Sequence, residues 1–110
     1  MTFEEYQVAA RRTQPHDIDL LVMAALGAAG ESGELANEVK KIRFHGHATK
    51  SQVLRNELGD VLWYLACLAD ALGATLEDVA QTNIDKLRLR YPEGFSYEAS
   101  RNRREDLHEL

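Results

Sequence analysis

Apolar residues recur along this chain at three- and four-residue intervals. Sustained alternation is missing, and no hairpin dipeptide stands between two apolar runs, so helices are expected and strands are not. Helix punctuation divides the sequence. Thr2 with Glu5 fits a capping box that opens a first helix running towards Arg12, and Pro15 closes that segment. Asp17 is the expected N-cap of a long second helix reaching about Arg43, and His45–Thr49 reads as a loop. A third helix is expected from about Ser51 to Leu72, with Gly73 as its left-handed C-cap. Thr75 and Asp78 start a fourth helix that Pro92 and Gly94 end near Tyr91. Four helices with short connections predict an all-α, antiparallel four-helix-bundle-like protomer, a single domain over residues 1–110. The polar segment 93–110, with Arg101, Arg103 and Arg104 beside Glu105 and Asp106, reads either as a last helical turn against a partner or as a mobile end.

Two features of this pattern are costly unless something offsets them. The second helix holds Gly27, Gly30 and Gly33, and each glycine costs a helix about 1 kcal/mol relative to alanine. Close approach of another backbone is the simplest reason for them. The other feature is acidic. With about 100° per residue, Leu20, Ala24, Leu35 and Ile42 share the face of Glu31, and Glu34 and Glu38 flank it. On the third helix Glu57 falls between Val61, Tyr64 and Leu68, with Asp60 at the edge of that stripe. Two helices therefore each aim an acidic pair, Glu31/Glu34 and Glu57/Asp60, at the interior. Buried carboxylates need cationic partners or metal. Oxygen donors at i and i+3 on adjacent helices suit Mg²⁺ or Mn²⁺. A di-iron site would need a histidine three residues after a glutamate, and neither pair has one.

Composition narrows the partners. Of the 110 residues, 45% are hydrophobic and 28% charged, as in ordinary globular domains. A net charge of −5 argues against a nucleic-acid polymer as ligand, since such binding needs a basic face. It leaves a nucleotide open, because bound cations reverse the sign of an acidic site. The lone Cys67 excludes an internal disulfide and fits a reducing compartment. No signal peptide or membrane-length apolar run is read, so a cytoplasmic chain without membrane association is expected. So small a core in so short a chain points to oligomerisation.

The fourth helix brings a second group. Asn83 is in line with Leu76, Val79, Ala80 and Leu87, and Lys86 and Arg90 lie beside it. An amide and two cations facing an acidic metal site suit a polyphosphate substrate; the alternative is that the cations only neutralise the carboxylates.

Gly30-Glu31-Ser32-Gly33-Glu34-Leu35, Glu57-Leu58-Gly59-Asp60-Val61-Leu62-Trp63-Tyr64, and Asn83-Ile84-Asp85-Lys86-Leu87 with Arg90-Tyr91-Pro92 follow one another in the order of a known family. Over roughly residues 18–95 the chain resembles the MazG-like nucleoside triphosphate pyrophosphohydrolases. The resemblance implies metal ligation by Glu31, Glu34, Glu57 and Asp60, phosphate contacts from Lys86, Arg90 and Asn83, and a homodimer or dimer of dimers. One departure is that Gly30 stands where the fuller motif has a second acid.

The mechanism expected on this resemblance is attack of water at the α-phosphorus with Mg²⁺ as cofactor, releasing pyrophosphate, in an enzyme clearing non-canonical nucleotides. Glu34 orients or deprotonates the water, Glu57 completes the metal set, and Lys86 stabilises the leaving group. Tyr64 borders the nucleoside or is an ordinary core aromatic, and Phe3, Tyr6 and His16 are candidates to complete a base pocket. Trp63 is expected on the opposite side of its helix, at a subunit interface. His45 and His47 are a weak candidate metal pair, and Cys67 is expected to be buried and inert. The rival readings are a related enzyme selective for dUTP, dCTP or phosphoribosyl-ATP, and a non-catalytic Mg²⁺-binding helical oligomer.

Overall fold

A computed structural model describes residues 1–102, and it is helical throughout with no strand among them. The charged cluster Arg103, Arg104, Glu105 and Asp106 lies outside the described residues. The chain divides into two compact units, Met1–Leu76 and a second from Glu77 onward.

In the first unit α1 spans Phe3–Ala10, a turn of 3₁₀ helix follows at Arg11–Thr13, and α2 and α3 occupy Leu20–Phe44 and Ser51–Ala71. The capping box forms as expected: Glu5 N–H donates to the Thr2 hydroxyl, and Thr2 N–H to the Glu5 carboxylate. Asp19 and not Asp17 caps α2, accepting from Val22 N–H at 3.2 Å. Asp17 instead adopts φ 57, turning the chain two residues ahead of that cap. Gly73 takes φ +67 after the end of α3, as its position predicted.

α2 and α3 form an antiparallel hairpin. Gly27 meets Tyr64, Glu31 meets Glu57 and Asp60, and Ile42 shares a cavity wall with Val53 and Leu54, so rising numbers on one helix oppose falling numbers on the other. α1 packs across α3, where Ala10, Ala66, Ala69 and Leu76 make a small core flanked by Tyr6 and Trp63. Within it Gln7 is only 2% exposed. Its amide donates to Asp70 at 2.7 Å and to the Ala74 carbonyl at 3.0 Å, and accepts from Leu76 N–H at 2.9 Å. One side chain thus closes the backbone groups that the turn after α3 leaves open.

The glycines separate into two kinds. A Cβ on Gly27 would land inside the Tyr64 ring, whereas Gly30 and Gly33 face open space within the chain. The close approach is therefore an aromatic ring at one position and not another backbone, and the other two have no reason inside the protomer. Gly27→Ala is expected to destabilise despite alanine's helix preference, with overpacking of about 1–3 kcal/mol outweighing a gain of about 1 kcal/mol. Gly30→Ala is expected to stabilise by roughly 0.5–1 kcal/mol in thermal unfolding. A loss at Gly30 instead would mark it as the place where another chain approaches.

The second unit carries α4, which begins at Leu76 and runs to Arg90, and a short α5 at Tyr97–Arg101 capped by Ser96. α5 falls in the first part of the polar segment 93–110, whose remainder from 103 lies outside the described residues. Gly94, at φ +86, allows the reversal between the two helices. Val79, Asn83 and Leu87, expected to be a core stripe, are exposed. Among the described residues of this unit α5, five residues long, is the one other helix.

Candidate metal and nucleotide site

The helical spacing of the acids brings three of them together. One carboxylate oxygen each from Glu31 on α2 and Glu57 and Asp60 on α3 lie within 4.8 Å of one another. Oε2 of Glu31 and Oε2 of Glu57 are buried acceptors that meet no donor. Glu34 stands beside them, exposed to solvent. Burial first, then the Glu34 charge, a proton shared with Glu57 or Glu34, and the charge of Asp60 push the Glu31 carboxyl up to about 7. A carboxyl so placed favours either its proton or a neighbouring cation.

The donor set is all oxygen, on two rigid helices, with two orphaned acceptors. Those are the properties that suit a hard divalent cation such as Mg²⁺ or Mn²⁺, which Glu31, Glu57 and Asp60 would hold with Glu34 at the edge. Among the described residues no other group of three His, Cys, Asp or Glu meets this spacing, so His45 and His47, with ring centroids 6.5 Å apart, have no third ligand.

Next to the acids is a cavity of about 380 Å³ lined by Thr13, Glu31, Asp60, Trp63 and Tyr64. Trp63 therefore does not turn away from the acidic face, as was expected. Three residues after Asp60, it reaches the same side, its indole N–H donating to the Thr13 hydroxyl at 2.9 Å and its ring set edge-on to Tyr64 at 5.0 Å. Thr13 in turn donates to the Ala10 carbonyl at 3.2 Å, tying the end of α1 to this wall. The i+3 spacing of Asp60 and Trp63 was visible in the sequence, but the role of Thr13 was not, because it depends on α1 folding back over α3.

Tyr6 packs beside the core near Asp60 and Cys67; burial and those two groups raise its phenol above the ordinary value. Cys67 is buried as expected, and burial together with the Asp70 charge raises its thiol. Phe3 and His16 do not line the cavity. Asn83, Lys86 and Arg90 lie along α4, three to four residues apart and so on one side of it, in the second unit.

No single helix among the described residues is long and apolar enough to cross a membrane. The chain is 37% identical to the Gene 37 protein of Mycobacterium phage L5 over 94% of its own length and 100% of that protein's. It is 36% identical to the uncharacterized protein YvdC of Bacillus subtilis (strain 168) over 56% of its length and 66% of YvdC. No solved structure matches. The sequence profile of the MazG nucleotide pyrophosphohydrolase domain matches residues 22–95, a span that contains all four acids and the cluster on α4, and the chain belongs to that family.

Proposed function

We propose that this protein hydrolyses a nucleoside triphosphate to the monophosphate and pyrophosphate at Glu31, Glu34, Glu57 and Asp60. The observation that carries the reading is the meeting of three carboxylates with two buried, donorless oxygens in a chain of the MazG family. When bound there, Mg²⁺ supplies charge neutralisation of the phosphates and a lowered pKa for water. Glu31, Glu57 and Asp60 hold the cation, while Glu34, exposed and outside the closest group, keeps a carboxylate available to accept a proton from the attacking water. Trp63 and Tyr64 border the nucleoside, and Thr13 fixes the indole so that its ring and not its N–H is offered. Lys86, with Asn83 and Arg90 on the same side of α4, stabilises the departing pyrophosphate.

Leu26 and Leu58 are 69% and 59% exposed on α2 and α3, near the open Gly30 and Gly59. These support a bundle completed by a second copy of the chain, as a dimer or dimer of dimers. Base preference, including dUTP, dCTP or the phosphoribosyl-ATP class, is set by the Thr13–Trp63–Tyr64 wall.

The test is pyrophosphate release from a panel of canonical and modified nucleotides, with and without Mg²⁺ or Mn²⁺. Metal-dependent pyrophosphate from any member is expected. A folded protein that gains thermal stability from Mg²⁺ yet cleaves nothing would instead establish the non-catalytic reading.

A further inference from the structure

A second cavity, of about 240 Å³, opens where the α2–α3 hairpin turns, lined by Glu38, Ile42, His47, Ala48, Lys50, Val53 and Leu54. Its floor is aliphatic and its rim is charged. The acidic stripe of α2 leads into it: Glu38 lies seven residues beyond Glu31 on the same face, about 10 Å along the helix. The carboxylate of Glu38 is already matched by the Lys41 ammonium at 3.4 Å. Lys50 makes no ion pair among the described residues, so the rim keeps a surplus cation beside the His47 imidazole.

The loop that presents these two side chains is held in place by its backbone. Gly46 takes φ +71, which returns His47 N–H to the Lys41 carbonyl at 3.1 Å, and the Lys50 carbonyl accepts from Val53 and Leu54 N–H at 3.0 and 3.2 Å. Lys50 is also the N-cap of α3 and gives no side-chain hydrogen bond to that helix. A cation is disfavoured at the positive end of a helix dipole unless an anion sits there too. A lysine in this position, lining a cavity, is accounted for if the cavity receives negative charge.

We infer that Lys50 and His47 bind the terminal phosphates of the substrate and so select triphosphates. The inference rests on the proposed reaction, and it orders the hairpin groove. The nucleoside end meets Trp63 and Tyr64, the scissile phosphate meets the acids, and the outer phosphates run along α2 towards Lys50. A phosphate chain extended from the acids, met by a lysine side chain, spans a gap of about 10 Å. Lys50 and His47 would act on the portion that departs as pyrophosphate.

Calorimetric binding of inorganic pyrophosphate in Mg²⁺ tests this without any turnover. Lys50→Gln and His47→Gln are each expected to weaken binding by roughly tenfold, the worth of one charge-assisted hydrogen bond. Lys50→Arg is expected to keep most of the affinity, and Lys40→Gln, on the exposed side of α2, to leave it unchanged. In turnover the two glutamine variants raise KM for the triphosphate by the same factor. Pyrophosphate binding with equal affinity to wild type and both variants, or no binding to the wild type, would overturn the assignment. Failure of the proposed reaction is read separately, as absence of pyrophosphate release from the nucleotide panel. Far-ultraviolet circular dichroism confirms that each variant is folded.

Discussion

Glu57→Gln is expected to lower metal-dependent turnover by about 10²–10³-fold while leaving helix content unchanged. That loss is typical when one group stabilising transition-state charge is removed. The substitution changes one oxygen for an amide and little else in volume, so a loss of activity reports chemistry and not packing. The metal-free fold should not suffer. In it, Oε2 of Glu31 and of Glu57 are acceptors without donors, and a glutamine N–H beside Glu31 supplies one. The thermal midpoint without metal is therefore expected to match or exceed that of the wild type at neutral pH, and stabilisation by Mg²⁺ to shrink.

The pH dependence has a definite sign. The Glu31 carboxyl, pushed up to about 7 in the fold, keeps a proton that the unfolded chain has already lost above its ordinary value of 4.5. Stability from this group is thus present at low pH and falls as pH rises between those two values. Cation binding displaces the same proton, so Mg²⁺ is expected to stabilise the protein more at pH 8 than at pH 6. Thermal scans of wild type and Glu57→Gln, with and without Mg²⁺ at the two pH values, check all of this. Wild-type turnover in Glu57→Gln would remove Glu57 from the site.

Gln7→Leu is expected to be the most destabilising single change in the first unit, at about 3 kcal/mol. The leucine fits the volume, but it leaves Leu76 N–H and the Ala74 carbonyl without their partner and takes one donor from Asp70. Each buried group left unsatisfied costs about 1–3 kcal/mol, and the total corresponds to a drop in Tm on the order of 10 °C. Arg11 does not compensate. Its fork to Asp70, at 2.9–3.1 Å, is half exposed, and pairs of that kind contribute about 1 kcal/mol or less. Burial pushes the Asp70 carboxyl up, but hydrogen bonds from Arg11 and Gln7 win and hold it below the usual carboxylate range. The stability this gives is present above about pH 4 and is lost as pH falls through the depressed value. Gln7→Leu should therefore also blunt the acid-induced loss of stability. A cost below about 1 kcal/mol in urea unfolding would contradict the role given to Gln7.

Much of this architecture was legible because it is local. The Thr2–Glu5 box, the Gly73 cap and the turn at Gly94 are encoded within a few residues. The two acidic pairs stood out because helical periodicity placed them on apolar stripes. What was not legible depends on contacts distant in sequence or on competition between equivalent signals. Asp17 and Asp19 are both good caps, and only the backbone turn at Asp17, with φ 57, assigns the role to Asp19. Gln7 reads as an ordinary polar residue of α1 until α1 is laid across the end of α3. A helical stripe centred on Tyr64 places Trp63 on the far side of α3, although the residue three on from Asp60 faces the acids as well. The tight spot at Gly27 needed the Tyr64 ring, 37 positions away, to explain it.

The most direct test of the central claim is hydrolysis of the preferred triphosphate in ¹⁸O-labelled water with Mg²⁺, reading the products by mass. The account predicts one label in the monophosphate and none in the pyrophosphate, with no reaction when the metal is chelated. Label in pyrophosphate or inorganic phosphate, or hydrolysis that persists without metal, would contradict it.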